Sequence, residues 1–187
     1  RPLPPKFVAV NQFKLTWNHF THSENRPILG GIPRDATVAT IWEFDSAESG
    51  DILVYLDPQE KWRLGKVTVK CLMVKRQSIA WAVQLRKSTP QQRTDLLKHE
   101  RVHVELSERH ARYVFQQICQ LSASGSDLGV VAQQLIDAAD RIRRDHRKKW
   151  KVMDDQYDRE TDYGRNLTSQ QRWNAIYLCT TNTNAVL

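Results

Sequence analysis

The sequence predicts an α+β fold in which an N-terminal antiparallel β-sheet is followed by a helical half. Residues 7–86 contain short β-branched and aromatic runs separated by turn residues, a pattern typical of strands. From residue 89 to about 180, strand formers, glycine and proline thin out, and apolar residues recur at helical spacing. Strands that come first and helices that come after indicate an antiparallel sheet packed against helices.

Five strands are expected in the first half, and the turn-forming residues 30–33 and 49–51 separate some of them. The predicted strands cover residues 7–17, 36–44, 52–56, 66–74 and 78–86.

Three helices are expected in the second half. The first begins after Thr89, a hydroxyl cap followed by proline at the first helical position, and runs to about residue 121. The second begins near residue 128 and reaches residue 153 or beyond. The third covers residues 169–179, with Thr168 as its cap. Residues 157–164, between the last two helices, form a polar and aromatic connection rich in chemically active side chains.

Length and composition indicate one domain spanning residues 1–187. With 187 residues, 40% of them apolar, the chain can bury one ordinary core but is short for two. No apolar run approaches the roughly 18 residues that a membrane span needs. The first five residues, Arg-Pro-Leu-Pro-Pro, resemble the ragged start of a mature chain, which is compatible with a removed signal peptide.

The net charge of +7 raises the question of nucleic-acid binding. The densest basic run, residues 141–151, follows a helical pattern with acidic neighbours, which favours a solvated helix face and argues against a nucleic-acid partner. Cys71, Cys119 and Cys179 form no Cys-x-x-Cys pair, and their number decides neither the disulfide pairing nor the redox compartment.

The segment from His99 to His103 has the pattern His-Glu-x-x-His on the first predicted helix. Two histidines four residues apart point to the same side of a helix, roughly 6 Å apart along its axis. This spacing lets both imidazoles bind one Zn²⁺. Glu100 projects toward the same ion, where a carboxylate can take a proton from a water molecule that the metal activates. The pattern predicts a zinc site with Glu100 as general base.

The third zinc ligand is less defined. A metzincin needs a glycine and a histidine where this chain has Leu106 and Arg109, so that class is excluded. His110 lies about 10 Å along the helix from His103, too far to share one ion, and is assigned a structural or surface role. Antiparallel return of the second helix would bring the polar connection near the motif. Its candidate ligands are Asp158, Glu160, Asp162 and Tyr163.

Two motifs together resemble a known bacterial family. The segment from His99 to Glu108, followed by Tyr157 to Gly164, resembles the bacterial predicted secreted zinc-dependent proteases long catalogued as a domain of unknown function (DUF922). Pro33 and residues 36–42 and 67–69 are similar to that family's sheet region. The resemblance implies a periplasmic or secreted peptidase with one Zn²⁺ and a protein or peptide substrate.

The chain departs from that family at Tyr163, where the family commonly has histidine. The resemblance implies the third ligand at this position, so Tyr163 is favoured and Glu160 is the alternative. Tyr157, Tyr163 and Arg159 are candidates for stabilising the oxyanion.

Two functions of different classes remain open at this point. In the first, the chain is a zinc peptidase with Glu100, Tyr157 and Tyr163 in catalytic roles. In the second, it is an inactive or structural zinc-binding module whose ion has four protein ligands, such as His99, His103, Glu160 and Tyr163. The sequence leaves the oligomeric state open.

Overall fold

The computed structural model describes residues 6–8, 15–29, 31–45 and 54–178, with the backbone alone at 6–8 and 45. Short strands come first and helices follow, which confirms the predicted α+β class. The strands are β1 (Lys6–Val8), β2 (Thr21–Ser23), β3 (Ile28–Leu29), β4 (Ile32–Pro33), β5 (Ala36–Thr37), β6 (Thr40–Asp45), β7 (Val54–Leu56), β8 (Trp62–Leu64), β9 (Thr68–Met73) and β10 (Ile79–Trp81). The α-helices are α1 (Ala82–Lys87), α2 (Pro90–Cys119), α3 (Leu128–Glu160) and α4 (Leu167–Tyr177).

The strands form small sheets. One has the order β1-β9-β6 and another β2-β10-β5, and β3-β4 and β7-β8 are hairpins. Most pairings are antiparallel, as predicted, but β1 pairs with β9 and β2 with β10 in parallel. The two larger sheets are therefore mixed.

The strand predictions are correct in part. The prediction of one strand over 78–86 is wrong beyond Trp81, because the chain there forms α1 and buries Ala82 and Leu85 one helical turn apart. Of the predicted strand 7–17, residues 9–14 lie outside the described residues, and Trp17–His19 is a 3₁₀ helix. Of the predicted strand 52–56, residues 52–53 lie outside them.

The start of α2 is as predicted. The Thr89 hydroxyl accepts a hydrogen bond from the Gln92 backbone N–H at 3.2 Å, and the Gln92 side chain accepts one from the Thr89 N–H at 2.8 Å. This reciprocal pair and Pro90 in the first turn define where the helix begins.

The predicted connection over 157–164 is wrong in its first half, because α3 continues to Glu160. The last helix also starts earlier than predicted, at Leu167, and its cap is Asn166, which accepts from the Ser169 N–H at 3.2 Å, and not Thr168.

Two buried clusters fix the helices. The larger one lies between the β6-β9 sheet and helices α2 and α3, and the smaller one gathers side chains of α2, the end of α3 and α4. The fully or nearly buried members of the smaller cluster are Val102, Leu106, Tyr157, Trp173 and Tyr177. Because α3 runs antiparallel to α2, as predicted, its last turns lie beside the His-Glu-x-x-His motif.

Two further predictions concern membranes and cysteines. Within the described ranges, no helix combines the length and the apolar character that crossing a bilayer requires. Cys71 is buried and Cys119 is half-buried, and both are free thiols. Cys179 lies outside the described residues.

Candidate metal centre

Three side chains from two helices meet at one point. His99 and His103 project from α2, and Asp158 projects from the last turn of α3. The Nε2 atoms of the two histidines are 3.3 Å apart, and Asp158 Oδ1 lies 3.3 Å from His99 Nε2 and 3.1 Å from His103 Nε2. These side chains form a group that could hold a metal ion.

The size of this triangle matches a tetrahedral ion. Ligand atoms about 2.1 Å from a tetrahedral centre lie about 3.4 Å from one another. The three observed separations of 3.1 to 3.3 Å are close to that edge length. Three ligand atoms at these distances can therefore bind one cation, and the fourth position of the tetrahedron stays open.

Both histidines are oriented by a hydrogen bond at the other ring nitrogen. His99 Nδ1 lies 2.9 Å from Gln170 Oε1, and His103 Nδ1 lies 2.6 Å from Asp154 Oδ1. Since an amide oxygen and a carboxylate only accept, each Nδ1 carries the proton as donor. The Nε2 lone pairs then face the shared point, an arrangement typical of metal-binding histidines.

Charges around His103 favour a cation. Burial lowers the pKa of His103, but the carboxylates of Asp154 and Asp158 outweigh burial and hold that pKa well above its usual range. Burial opposes ionisation of Asp158, but its hydrogen bonds to His103 and His99 hold its pKa well below the ordinary value. A metal ion would thus replace a proton at His103 Nε2 between groups already arranged for positive charge.

Glu100 lies next to this group. The residue is 2% exposed, and its Oε2 is buried without a hydrogen-bond partner among the described residues. Burial raises the pKa of Glu100, and the positive charge of His103 and His99 opposes this. An orphaned carboxylate oxygen is costly in an apolar interior unless a ligand or an ion satisfies it. The group therefore fits a bound cation and its water.

Arg34 closes the site from the side of the strands. Its Nη2 is 2.9 Å from Asp158 Oδ2, and its guanidinium lies 3.5 Å from the ring centre of Tyr163. Arg34 Nε and Nη1 are buried and have no acceptor in the described part of the chain. These two N–H donors remain for a bound molecule.

These side chains line an open cavity, whose space of about 420 Å³ includes the part that is open to solvent. Its wall combines Leu29, Arg34 and residues 35–38 with the metal-site residues of α2 and α3 and with Tyr163.

Tyr157 occupies a supporting position. It is fully buried, its ring stacks on His99 at 4.7 Å, and its hydroxyl donates to the His99 carbonyl at 3.0 Å. Gln170 also hydrogen-bonds this hydroxyl. The structure therefore places Tyr157 behind the histidines and not in the cavity wall, which differs from its predicted catalytic position.

Glu160 and Tyr163, the two favoured candidates for the third ligand, have other contacts in the structure. The Glu160 carboxylate is held by Gln156 at 2.7 Å, by Trp173 Nε1 at 2.8 Å and by Arg172, so it joins α3 to α4. Tyr163 lines the cavity, but its ring is covered by Arg34. The structure brings Asp158, another of the candidate ligands from the sequence, to the two histidines. Arg159, a predicted oxyanion donor, is exposed.

The turn after α3 supports His99 from behind. Asp162, Tyr163 and Gly164 have consecutive positive φ angles of 45°, 54° and 86°. A Cβ on Gly164 would lie 3.3 Å from His99 Cγ, so the backbone packs directly on the imidazole. Glycine is needed here both for its φ and for the close approach.

His110 has the structural role that was predicted. It is 3% exposed, its ring stacks on Trp42 at 6.5 Å, and its Nε2 lies 3.3 Å from Met153 Sδ. Burial, together with the charges of His146 and Lys149, lowers the pKa of His110 to about 4. The side chain is therefore a neutral core residue.

A protein-family model, described as bacterial protein of unknown function (DUF922), matches residues 63–164, more than half of the chain. This chain belongs to the DUF922 family. The match includes the three candidate ligand side chains, Glu100 and the turn that ends at Gly164. The description of DUF922 assigns no reaction, so the family alone does not define an activity. No curated protein and no solved structure matches this DUF922 chain at a significant level.

Sequence reasoning missed three residues of this DUF922 site, Asp154, Gln170 and Arg34, whereas Asp158 was among the four candidate ligands. Asp154 and Asp158 stand four residues apart, the spacing of His99 and His103, and this was a usable signal once α3 is continued to Glu160. Gln170 and Arg34 gave no local signal, because their roles depend on contacts distant in the sequence.

Proposed function

We propose that this chain is a zinc-dependent peptidase in which His99, His103 and Asp158 hold the ion. The observation that carries the proposal is the convergence of three metal-binding atoms beside the Glu100 carboxylate in one cavity. Imidazole nitrogens with one carboxylate oxygen suit Zn²⁺, and three protein ligands leave a position for water, as in catalytic zinc sites. When bound, the ion supplies Lewis-acid activation of that water and polarisation of the substrate carbonyl.

The residues of the chain then have separate tasks. Glu100 Oε2 takes a proton from the attacking water as its oxygen bonds to the carbonyl carbon. Glu100 then delivers that proton to the amide nitrogen as the C–N bond breaks. The free N–H groups of Arg34 lie in the same cavity wall and donate to the carbonyl oxygen as it gains charge. Tyr163, in the same wall, orients the Arg34 guanidinium by stacking.

The alternative, a structural zinc module, has less support in the geometry. A structural site has four protein ligands and no open corner. The described residues supply three, and the cavity lies beside them. An exported location, in the periplasm or outside the cell, is part of this proposal. Its support is the likeness of the two motifs to a bacterial family that is predicted to consist of secreted zinc-dependent proteases.

The test combines metal analysis with peptide turnover. Purified protein should bind about one equivalent of zinc and cleave a fluorogenic peptide library. Glu100→Gln should lower kcat at least about 100-fold while zinc content stays unchanged, because the carboxylate handles the proton and holds no metal. Glu105→Gln is the matched control, since Glu105 lies on the same helix and pairs with Arg101 at 3.8 Å.

The substitution Arg34→Gln provides a second test of the proposed function. It should lower kcat about tenfold or more with a smaller change in KM, because the donors act on the transition state. Full activity in Glu100→Gln, or stable protein with neither zinc nor turnover, would remove the proposal.

A further inference from the structure

A second cavity lies between the start of β6 and the middle of α3. It has a volume of about 560 Å³, and its wall consists of Thr40, Ile41, Trp42, Arg143, Arg144, Arg147 and Trp150. Trp42 and Trp150 meet at 5.7 Å between ring centres and form the aromatic part of the wall. The metal centre uses none of these side chains.

One chain segment connects this cavity with the metal site. Residues 35–38 line the metal-site cavity, and residues 40–42 line the second one. On the opposite side, α3 supplies Asp154 and Asp158 to the first cavity and Arg147 and Trp150 to the second. The two cavities thus share two walls, this segment and α3, and the space between these walls is called the groove.

The segment also offers main-chain hydrogen-bonding groups. In the described residues, β5 is an outer strand of the sheet β2-β10-β5, and β6 is an outer strand of the sheet β1-β9-β6. An outer strand carries unpaired N–H and C=O groups on one side, to which an extended peptide can add as a further strand. The groove therefore has a wall suited to an extended polypeptide.

The charged side chains of the second cavity indicate which kind of ligand it binds. Arg143 is paired with Asp140 at 3.0 Å. Arg144 and Arg147 are exposed, and neither makes an ion pair with another residue in the part of the chain that the structure describes. Two guanidinium groups beside two indole rings suit a carboxylate carried on a polypeptide chain, because the guanidinium binds the carboxylate in a fork and the rings cover the chain.

We propose that the second cavity is a substrate subsite that binds an acidic residue of an extended polypeptide whose scissile bond lies at the metal centre. This inference rests on the proposed peptidase function and adds the class of substrate. Arg144 and Arg147 bind the acidic side chain, and the segment 36–45 pairs with the main chain between the two sites.

The geometry sets the distance between the acidic residue and the cleaved bond. From Asp158 to Arg147 the helix rises about 16 Å. An extended peptide covers that length with about five residues. Substrates should therefore carry Asp or Glu about five residues from the cleavage site.

The experiment measures binding of labelled extended peptides to the full chain with zinc and the substitution Glu100→Gln, so that no peptide is cut. One peptide carries two adjacent glutamates at one end, and its matched partner carries glutamines there. Adding Arg144→Gln and Arg147→Gln should weaken binding of the glutamate peptide about tenfold or more, and should leave the glutamine peptide unchanged. Circular dichroism of each variant verifies folding.

The matched control replaces Arg141 and Lys148 with glutamine, which removes the same charge from the same helix outside the cavity. If both double variants bind the glutamate peptide equally weakly, the effect comes from the net charge of the helix and not from the cavity, and the proposal is overturned. A duplex oligonucleotide that binds more tightly than the glutamate peptide, and depends on Arg144 and Arg147, would also overturn it.

Turnover separates this inference from the proposed function. If wild-type protein cleaves peptides equally fast with and without the acidic residue, and replacing both arginines does not change the rates, the subsite proposal is wrong and the peptidase function stands. Arginine-dependent binding of the glutamate peptide by wild-type protein that cleaves nothing contradicts the peptidase function and leaves an acidic-peptide site.

Discussion

The backbone of Gly164 lies directly against the imidazole of His99, so that a Cβ on Gly164 would stand 3.3 Å from His99 Cγ and 3.5 Å from its Nδ1. Gly164→Ala should therefore disturb the metal site as well as the turn. We expect it to lower the free energy of unfolding by about 1–2 kcal/mol, because φ is +86°. We also expect a loss of about tenfold in zinc affinity, because the ring that must face the metal is displaced.

Gly31→Ala is the control for Gly164. Gly31 has a similar φ of +79°, but apart from its chain neighbours no heavy atom of the described residues lies within 4 Å of its Cβ position. Gly31→Ala should lower the free energy of unfolding by a similar amount. Zinc affinity, measured by competition titration, should stay unchanged. Equal loss of affinity in both variants would refute the contact argument.

Substitutions of Asp158 and Glu160 should have different effects on zinc affinity if Asp158 is the third ligand. Asp158→Asn should reduce zinc affinity at least about 100-fold, because it removes the charge and a strong ligand atom. Glu160→Gln should keep zinc within a few fold, because Glu160 contacts Trp173, Arg172 and Gln156 instead. Inductively coupled plasma mass spectrometry after dialysis measures both, and retention of zinc by Asp158→Asn would exclude the ligand assignment.

Asp154 and Gln170 should affect zinc through the histidines that they orient. Asp154→Asn and Gln170→Ala each remove an acceptor at an Nδ1 atom, at 2.6 Å and 2.9 Å respectively. Loss of such a partner typically costs about 10–100-fold in metal affinity. Gln170→Glu restores an acceptor and should bind zinc more tightly than Gln170→Ala. If the two Gln170 variants bind zinc equally, the orienting role is wrong.

His110 should make the metal-free protein sensitive to acid. Its pKa in the folded chain is about 4, lower than the ordinary value of 6.5, so the folded state disfavours the proton that the unfolded chain accepts. The stability that neutral His110 contributes to the fold is therefore fully present above about pH 6.5 and is lost as the pH falls toward 4. Because solvent screens part of this effect, the expected loss is on the order of 1–2 kcal/mol.

The measurement for His110 is urea unfolding in the presence of a chelator between pH 4 and 8. His110→Gln should show a smaller loss of stability than wild type below about pH 6.5. The raised pKa of His103 acts in the opposite direction and above that range, because its contribution is lost as the pH rises through the folded value. The lowered pKa of His146 affects both proteins. Identical slopes would remove His110 as the cause.

The sequence predicted the parts of the structure that depend on local pattern. The start of α2 follows from Thr89 and Pro90, and the spacing of His99 and His103 follows from helix geometry. The end of α3 was not predicted, because its last turns are polar and the apolar periodicity that marks a helix fades there. They remain helical because one face packs on α2, where Tyr157 is buried and Asp154 and Asp158 contact the histidines. Tertiary contact therefore decided which carboxylate meets the two histidines.

The ligands of the candidate metal centre come from two helices, and His103 and Asp158 are 55 residues apart in the chain. A bound ion would therefore act as a cross-link, closing a loop that includes the second half of α2 and nearly all of α3. For a loop of this length the chain-entropy model gives a stabilisation of about 4 kcal/mol. Such an ion would contribute to the fold's resistance to unfolding and proteolysis, and the chain would then become easier to degrade wherever zinc is scarce.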